Sequence, residues 1–402
     1  MSKRKRQQHK YTYGCWQNPP EDIMEKIIQH LSLDDRLRLS FVCKHWQSFA
    51  TRRDMRSAPQ LPLLVLPHPP NCQVLSFASL SKGEVVCLNM PKPVRGVFFH
   101  TSSKGWLIMF IEKGKHTQMF LLNPLSGVQH KLPPLKKNVT FDIGFRKWKD
   151  HARQFVDKIV LSSPDISECM VAAFFNNHGL GVDHQELGFC RPGDKRWIVF
   201  NYFDTCIGVK DILFSGNTLY ALLLHNDDTK SGTVVAHTLT FGDHVVELKF
   251  IYDIEATMNR YVVHDSHNSY MLESSINNEV FLIHQILDHT YPNPDPYQDI
   301  DQEDLRLSGT TRSGFIVYKF DFECGNHLRV QSLGDQTIFL AANSSSLSFR
   351  ASDFKELDRN CIYFVTDEMI SISYLDTGKI RRLFPDVDDL KGQKGWFTPS
   401  LW

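Results

Sequence analysis

The chain has 402 residues, which exceeds one ordinary small domain and is long enough to bury a sizeable core. Lysine plus arginine and aspartate plus glutamate each number 45, so the formal net charge is zero. A neutral chain argues against a body that coats nucleic acid or an anionic membrane. With 42% hydrophobic and 12% aromatic residues, the composition also excludes a mostly disordered protein.

The N-terminal segment MSKRKRQQHKYTYG is basic and contains no apolar signal-peptide core. We expect residues 1–14 to be a disordered tail, in which Lys3 to Arg6 act either as a nuclear-import signal or as a solubilising charge cluster. No apolar run approaches the length of a membrane span. The nine cysteines include no C-x-x-C pair, which predicts free, mostly buried thiols in a reducing compartment. The expected location is the nucleus, the cytoplasm or both.

Residues 15–55 have the apolar spacing of a small all-α unit. Ile23, Ile27 and Leu31 recur every four residues after Pro20, which predicts an amphipathic helix whose first helical residue is the proline. A proline suits that position because its missing N–H would have no partner there in any case.

Two shorter helices are predicted to complete this unit. Ser32 and Asp35 resemble the capping box of a second helix, and Val42, Trp46 and Phe49 have the spacing of a third. Three helices in about 40 residues bury little surface, and a unit of that size is marginal by itself. Its excess apolar side chains therefore either pack on the rest of the chain or form a face for a partner.

The pattern changes to β-type segments after a proline-rich linker at residues 56–70. From residue 61 to residue 402, short apolar runs alternate with turns rich in Gly, Asn and Asp, such as the turn from Asn123 to Gly127. The repeating units are about 40–60 residues long, as in the four-stranded blades of a β-propeller. We predict an all-β propeller of six or seven blades, with one or two β-sandwiches as the rival fold.

Common enzyme motifs are absent from the sequence. It contains no Walker-type phosphate loop, no H-E-x-x-H and no G-x-S-x-G, which removes the usual nucleotide, zincin and hydrolase interpretations. His264 to His267 are adjacent in sequence, which is no evidence of a catalytic triad, and a polar loop is the simpler interpretation. The acidic run from Asp295 to Asp304 lacks the glycine that a calcium loop requires and is interpreted as a solvated insertion. No metal and no cofactor are predicted.

The helical segment resembles an F-box. Pro19 stands where that family usually has Leu, and the Val-Cys-Lys-x-Trp ending is the most specific part of the match. The resemblance implies that this segment docks a Skp-type adaptor through apolar side chains. The implied adaptor-binding residues are Pro20, Ile23, Ile27, Leu31, Leu33, Leu37, Val42 and Trp46.

The rest of the chain resembles the plant F-box proteins with a KIB-type β-propeller, long known as a domain of unknown function. The resemblance rests on Ser103 to Trp106, on FLLNPLSGVQHKLPPL, on VQSLGDQTIFLAANSSSLSFRASDF, on Asn360 to Phe364 and on the ending WFTPSLW.

These resemblances imply a substrate-recognition subunit of an SCF-type cullin-RING ubiquitin ligase, without an active site of its own. The F-box would join the cullin-RING machinery through its adaptor, and the propeller would capture an unidentified protein substrate. Neither nucleic acid nor a membrane is an expected partner. The alternatives are a scaffold F-box protein that acts outside a ligase and a propeller hydrolase.

Overall fold

The computed structural model describes the following parts of the chain: residues 19–31, 35, 39, 42–50, 60–67, 74–80, 83–89, 97–113, 116–134, 156–177, 184–201, 206–216, 218–225, 233–242, 245–255, 268–287, 313–321, 326–342, 344–366, 369–384 and 392–399. The chain divides into two compact units, one of Met1–Gln60 with Pro399–Trp402 and the other of Leu61–Thr398. Among the described residues, no helix has the length and apolarity needed to cross a membrane.

The first unit contains α1 (Glu21–His30) and α2 (Lys44–Ala50) within its described residues. Helix α1 begins one residue later than predicted, because Pro20 is its N-cap and not its first helical residue. The Pro20 carbonyl accepts hydrogen bonds from the N–H groups of Ile23 at 3.2 Å and Met24 at 3.1 Å. The proline therefore marks the helix start as expected, one position outside the helix.

Two helices of this unit have described bounds, whereas three were predicted, and Asp35 and Leu39, at the place of the predicted second helix, are both helical. Helix α2 corresponds to the predicted third helix, but it starts after Val42, which lies in the preceding turn. Most of the predicted second helix, including Leu33 and Leu37, lies outside the described residues.

The second unit is all-β in its described part and contains six sheets. Taking the strands of each sheet in spatial order, the first sheet is β25 (Gly395–Phe397), β1 (Leu63–Val65), β2 (Val74–Ser79) and β3 (Glu84–Asn89). The second sheet is β4 (Val97–Ser103), β5 (Trp106–Lys113), β6 (His116–Leu122) and β7 (Gln129–Lys131). The third sheet is β11 (Ile198–Asn201), β10 (His184–Cys190), β9 (Val171–Asn177) and β8 (Val156–Leu161).

The fourth sheet is β12 (Cys206–Ser215), β13 (Thr218–His225), β14 (Thr233–Gly242) and β15 (Val245–Glu255). The fifth sheet is β16 (Ser269–Glu273), β17 (Val280–Leu287), β18 (Ser313–Asp321) and β19 (Asn326–Val330). The sixth sheet has five strands: β21 (Leu347–Arg350), β20 (Gln336–Ala341), β22 (Cys361–Val365), β23 (Ile370–Tyr374) and β24 (Ile380–Arg382). A short 3-10 helix, Ala351–Asp353, lies between β21 and β22.

Strands of the six sheets contact one another in a closed order. Strand β25 contacts β4, β4 contacts β8, β8 contacts β12, and β12 contacts β16. The sixth sheet completes the ring, since β21 contacts β16 and β20 contacts β25. This radial arrangement is that of a β-propeller, so the predicted order of a small helical unit followed by an all-β propeller is confirmed. The rival prediction of β-sandwiches, in which two sheets pack face to face, is wrong.

The strands in the middle of a sheet are apolar on both faces, because each sheet packs between two neighbours. In β5, Trp106 and Ile108 belong to the core between the second and third sheets. Leu107 and Met109, which alternate with them, belong to the core between the first and second sheets. A continuous apolar run is typical of a strand buried on both faces, and it explains why these segments lack a polar alternation.

Tight turns connect neighbouring strands of a sheet, and they include the predicted turn from Asn123 to Gly127. Lys104 and Gly105 have φ values of 48° and 83° and connect β4 to β5 in a tight hairpin. The Asn123 side-chain oxygen accepts hydrogen bonds from the N–H groups of Leu125 and Ser126, both at 3.0 Å, which stabilises the turn between β6 and β7.

The propeller closes through a short strand pair that a neighbouring hairpin reinforces. Strands β1 and β25 pair over three residues each, which is a small connection between the two ends of a domain. The indole N–H of Trp396 donates to the Leu340 carbonyl at 3.0 Å, and the Ser102 hydroxyl donates to the Trp396 carbonyl. The backbone N–H of Ser345 donates to the Ser102 carbonyl at 3.1 Å. The β20–β21 hairpin (residues 336–350) therefore contacts both the closing strand and the second sheet.

Candidate functional site

The helical unit has a small core of its own. Its buried side chains come from both helices and from the segment between them: Met24, Ile28, Leu39, Phe49 and Ala50. Met24 and Ile28, which neighbour Ile23 and Ile27 in the apolar stripe of this helix, are fully buried. The core of this unit is therefore formed mainly by residues outside the predicted adaptor-binding set.

The predicted adaptor-binding residues divide into two groups. Ile27, Leu31 and Trp46 are partly buried and pack against the core, so they have a structural role in addition to any binding role. Pro20 is exposed, and the side chains of Ile23 and Val42 are 39% and 62% exposed.

The exposure of Ile23 and Val42 distinguishes them from the other large apolar residues of this unit. They are the two that are more than a third exposed among its described residues. Since the core of this unit is filled by other side chains, these two are its candidates for an apolar interaction surface. Leu33 and Leu37 lie outside the described residues, so their predicted role stays a prediction.

Pro19 is buried, unlike its neighbour Pro20. The residue at which the sequence departs from the usual F-box pattern is therefore directed away from solvent. The exposed apolar surface at the start of α1 is formed by Pro20 and Ile23.

The turn before α2 determines that the side chain of Val42 is exposed. The Val42 N–H donates to the Leu39 carbonyl at 3.2 Å, and the Cys43 carbonyl accepts from the Gln47 N–H at 2.8 Å. The Trp46 N–H approaches the Cys43 sulfur at 3.5 Å, so the cysteine occupies the position of a helix cap. This turn orients Val42 outwards while Trp46 packs inwards.

The interior of the propeller contains a buried ion pair that connects three sheets. Lys158 of β8 contacts the carboxylate of Asp211 on β12, and both side chains are buried. Asp211 also accepts hydrogen bonds from the N–H groups of Ile212 at 2.7 Å and of Met271, on β16, at 2.6 Å. One carboxylate therefore joins the third, fourth and fifth sheets. Sequence reasoning missed this pair, because 53 residues separate its partners.

Burial dominates the electrostatics of Asp211. Loss of hydration raises the pKa of its carboxyl group, and the Lys158 ammonium and the two backbone N–H donors oppose that rise. Burial also raises the pKa of the nearby Tyr270 hydroxyl, and the charge of Asp211 contributes to the increase. Every polar atom of the Asp211 carboxylate is thus occupied by a structural contact, and the group joins sheets together.

The described residues contain no group of three or more His, Cys, Asp or Glu side chains arranged to hold a metal ion. His264 to His267 and the acidic run from Asp295 to Asp304 lie outside the described residues, and their interpretation as loops stays a prediction.

The described cysteines differ sharply in exposure. Cys43 and Cys87 are exposed, so the prediction of burial is wrong for them, whereas Cys169, Cys190 and Cys361 are buried free thiols. Burial raises the pKa of Cys169 to about 11 and that of Cys361 to about 12. It also raises the pKa of Cys190 well above its ordinary value.

Iodoacetamide is expected to alkylate Cys43 and Cys87 of the native chain before the three buried thiols. At about pH 8, a thiol with the pKa of Cys169 is ionised in roughly one molecule per thousand, and the thiolate is the reactive form. Peptide mass spectrometry over a time course measures the order of labelling. The same reaction in denaturant is the control, in which all five should react. Equal rates in the native chain would contradict the burial of these three thiols.

Comparison with protein-family models assigns both parts of the chain. Residues 20–57 match the F-box domain model, and residues 77–391 match the KIB1-4 β-propeller model. The chain is thus an F-box protein with a C-terminal propeller. Because the second match covers well over half of its length, the chain belongs to the KIB1-4 β-propeller family.

Curated relatives from Arabidopsis thaliana agree with this assignment. The chain is 23% identical to the F-box/kelch-repeat protein At1g57790 over 396 residues, which cover 96% of this chain and 95% of that protein. It is 45% identical to the putative F-box protein At1g65770 over 65 residues, or 16% of this chain and 18% of that protein. Among solved structures, TolB from Acinetobacter baumannii matches with a TM-score of 0.40 and 10% identity, covering 85% of this chain and 67% of that chain.

Proposed function

We propose that this chain is the substrate-recognition subunit of an SCF-type cullin-RING ubiquitin ligase. The observation that carries the proposal is the exposed apolar pair Ile23 and Val42 on the F-box segment, whose own core is filled by other side chains. The helical unit docks a Skp-type adaptor through this surface. The propeller binds a protein substrate and holds its lysines near the ubiquitin-charged enzyme, so that its contribution is proximity.

Pro20, Ile23 and Val42 are the proposed primary contacts with the adaptor. Ile27, Leu31 and Trp46 pack against the core of the unit, and the parts of them that stay exposed add to the proposed contact surface. Leu33 and Leu37 complete the proposed set, as the resemblance implies. Adaptor binding then buries apolar area that is otherwise exposed to water, which is the main source of affinity in such an interface.

The propeller in this proposal has six blades, one for each sheet. The closed order of contacts from β25 through β4, β8, β12 and β16 to the sixth sheet supports this count. We propose that the chain acts without an active site or cofactor of its own, in the nucleus, the cytoplasm or both.

Aspartate substitutions at Ile23 and Val42 are expected to weaken adaptor binding. Each change places an unpaired carboxylate in the proposed interface, which costs several kcal/mol when buried and should weaken binding roughly tenfold or more. Both sites are exposed in the free chain, so stability should change by less than about 0.5 kcal/mol. Co-purification of a Skp-type adaptor with the full chain, together with thermal melting of each variant, measures both effects.

The matched control is Val85→Asp, which makes the same change at a side chain that is 50% exposed on β3 of the propeller. This variant should bind the adaptor normally. Normal binding by the Ile23→Asp and Val42→Asp double variant would remove the basis of the proposal. A chain that binds the adaptor but never assembles with a cullin would support the scaffold alternative instead.

A further inference from the structure

The loop between β10 and β11 is anchored to the neighbouring second sheet. The Gly193 N–H donates to the Lys131 carbonyl at 2.8 Å, and the Trp197 indole N–H donates to the Pro133 carbonyl at 3.0 Å. Both hydrogen bonds cross from the third sheet to the segment around β7. This loop therefore has two fixed points on a rigid sheet edge.

Contacts of the loop's own residues also fix its conformation. The Asp194 carboxylate accepts the Arg191 N–H at 2.7 Å, and the Asp194 N–H donates to the Arg191 carbonyl at 3.0 Å. Trp197 packs edge to face on Phe175, with their ring centroids 5.2 Å apart. A loop held in this way loses little conformational entropy when a partner binds it.

Four cationic side chains are exposed along this junction, and we call them the basic seam: Lys131, Arg191, Lys195 and Arg196. Residues 123–134, on one side of the junction, contain no acidic residue. On the other side, residues 191–197 contain one, Asp194, whose carboxylate already accepts a backbone N–H.

Two further acidic residues lie in the other described loop at this end of the third sheet, residues 162–170. One is Glu168, which is exposed. The other is Asp165, whose carboxylate accepts both the N–H and the hydroxyl of Ser167, at 3.0 Å and 2.8 Å. The four cations of the seam thus face three carboxylates, which leaves a local excess of one positive charge, in a chain whose total charge is zero.

We propose that the basic seam binds an acidic segment of a protein partner. Charge complementarity favours a carboxylate-rich ligand, and the guanidinium of Arg196 provides forked donors that suit carboxylates. A polypeptide is favoured over nucleic acid, because four cations on one edge make fewer contacts than the roughly six to ten phosphate contacts of typical DNA binders. The inference deepens the proposed function, since the acidic segment would belong to the captured substrate.

Fluorescence anisotropy of the full chain with a labelled glutamate-rich peptide tests the inference. We expect saturable binding that weakens as salt rises from about 50 mM to about 300 mM, because these charges are exposed and screened. The Lys195→Glu and Arg196→Glu double variant should bind roughly tenfold more weakly, as expected for the reversal of two surface charges. A glutamine-substituted peptide should not bind.

The matched control is the Lys379→Glu and Arg382→Glu double variant, which reverses two exposed charges in the sixth sheet. It should bind the acidic peptide like the unmodified chain. Equal loss in the two variants, or no saturable binding at all, would overturn the inference. Tighter binding of a single-stranded oligonucleotide or an anionic vesicle through the same residues would also overturn it.

Adaptor co-purification of the same variants separates this inference from the proposed function. The seam variants should bind the adaptor normally, because their charges lie on the propeller. If the peptide binds but the adaptor does not, the result supports acidic-segment binding by the basic seam and contradicts the ligase proposal. If the adaptor binds but the peptide does not, the result supports the ligase proposal and contradicts acidic-segment binding by the basic seam.

Discussion

Asp211→Asn is expected to destabilise the propeller by about 3–5 kcal/mol, the usual cost of removing one partner of a buried ion pair. The change keeps the size of the side chain but leaves the buried Lys158 ammonium without its counter-charge. Equilibrium unfolding in urea, followed by tryptophan fluorescence, measures the effect. Lys158→Met should also destabilise, because it leaves a buried carboxylate with backbone donors alone.

The double variant, Lys158→Met with Asp211→Asn, should be more stable than either single variant. Once both charges are removed, no uncompensated ion remains in the core, and such replacements are often nearly neutral. Asp376→Asn, at an exposed carboxylate in the sixth sheet, is the control and should change stability by less than about 0.5 kcal/mol. Simple additivity of the two single variants would show that the ions do not interact.

Gly395→Ala is expected to open the propeller at its closing strand. An added Cβ would lie 2.0 Å from the Ser344 hydroxyl oxygen and 3.0 Å from a ring carbon of Phe99. Overpacking of this kind typically costs about 1–3 kcal/mol. Hydrogen exchange should become faster at the β1 residues Leu64 and Val65 and stay unchanged in the distant strand β13.

Ser344→Ala in the Gly395→Ala background should restore part of the lost stability. It removes the oxygen that the new methyl group would meet, while the contact with Phe99 remains. Gly314→Ala is the matched control, because a Cβ there meets nothing within 4 Å. If the second substitution gives no rescue, the β20–β21 hairpin does not hold the closing strand through Ser344.

Local chemistry explains the features that were predictable from sequence. The helix boundary at Pro20 and the turn at Asn123 depend on residues within a few positions of one another. Short apolar runs that recur in units of about 40–60 residues indicated a propeller. Such runs are readable from the sequence because a strand that is buried on both faces is apolar along its whole length. The spacing of the apolar stripe left open which of its members are buried: Met24 and Ile28 fill the core, whereas Ile23 is exposed.

By itself, the sequence determined the order of the two units, the start of α1, the β character of the long unit and the residue types of its turns. Only the tertiary structure decided which apolar side chains of the helical unit are exposed, where the sixth sheet inserts a fifth strand and which buried charges meet. The physical reason is the separation in sequence between the residues that interact. Helix caps and turns depend on neighbours a few residues away, whereas the Lys158–Asp211 pair and the hydrogen bond from Trp396 to Leu340 join residues separated by 53 and 56 positions.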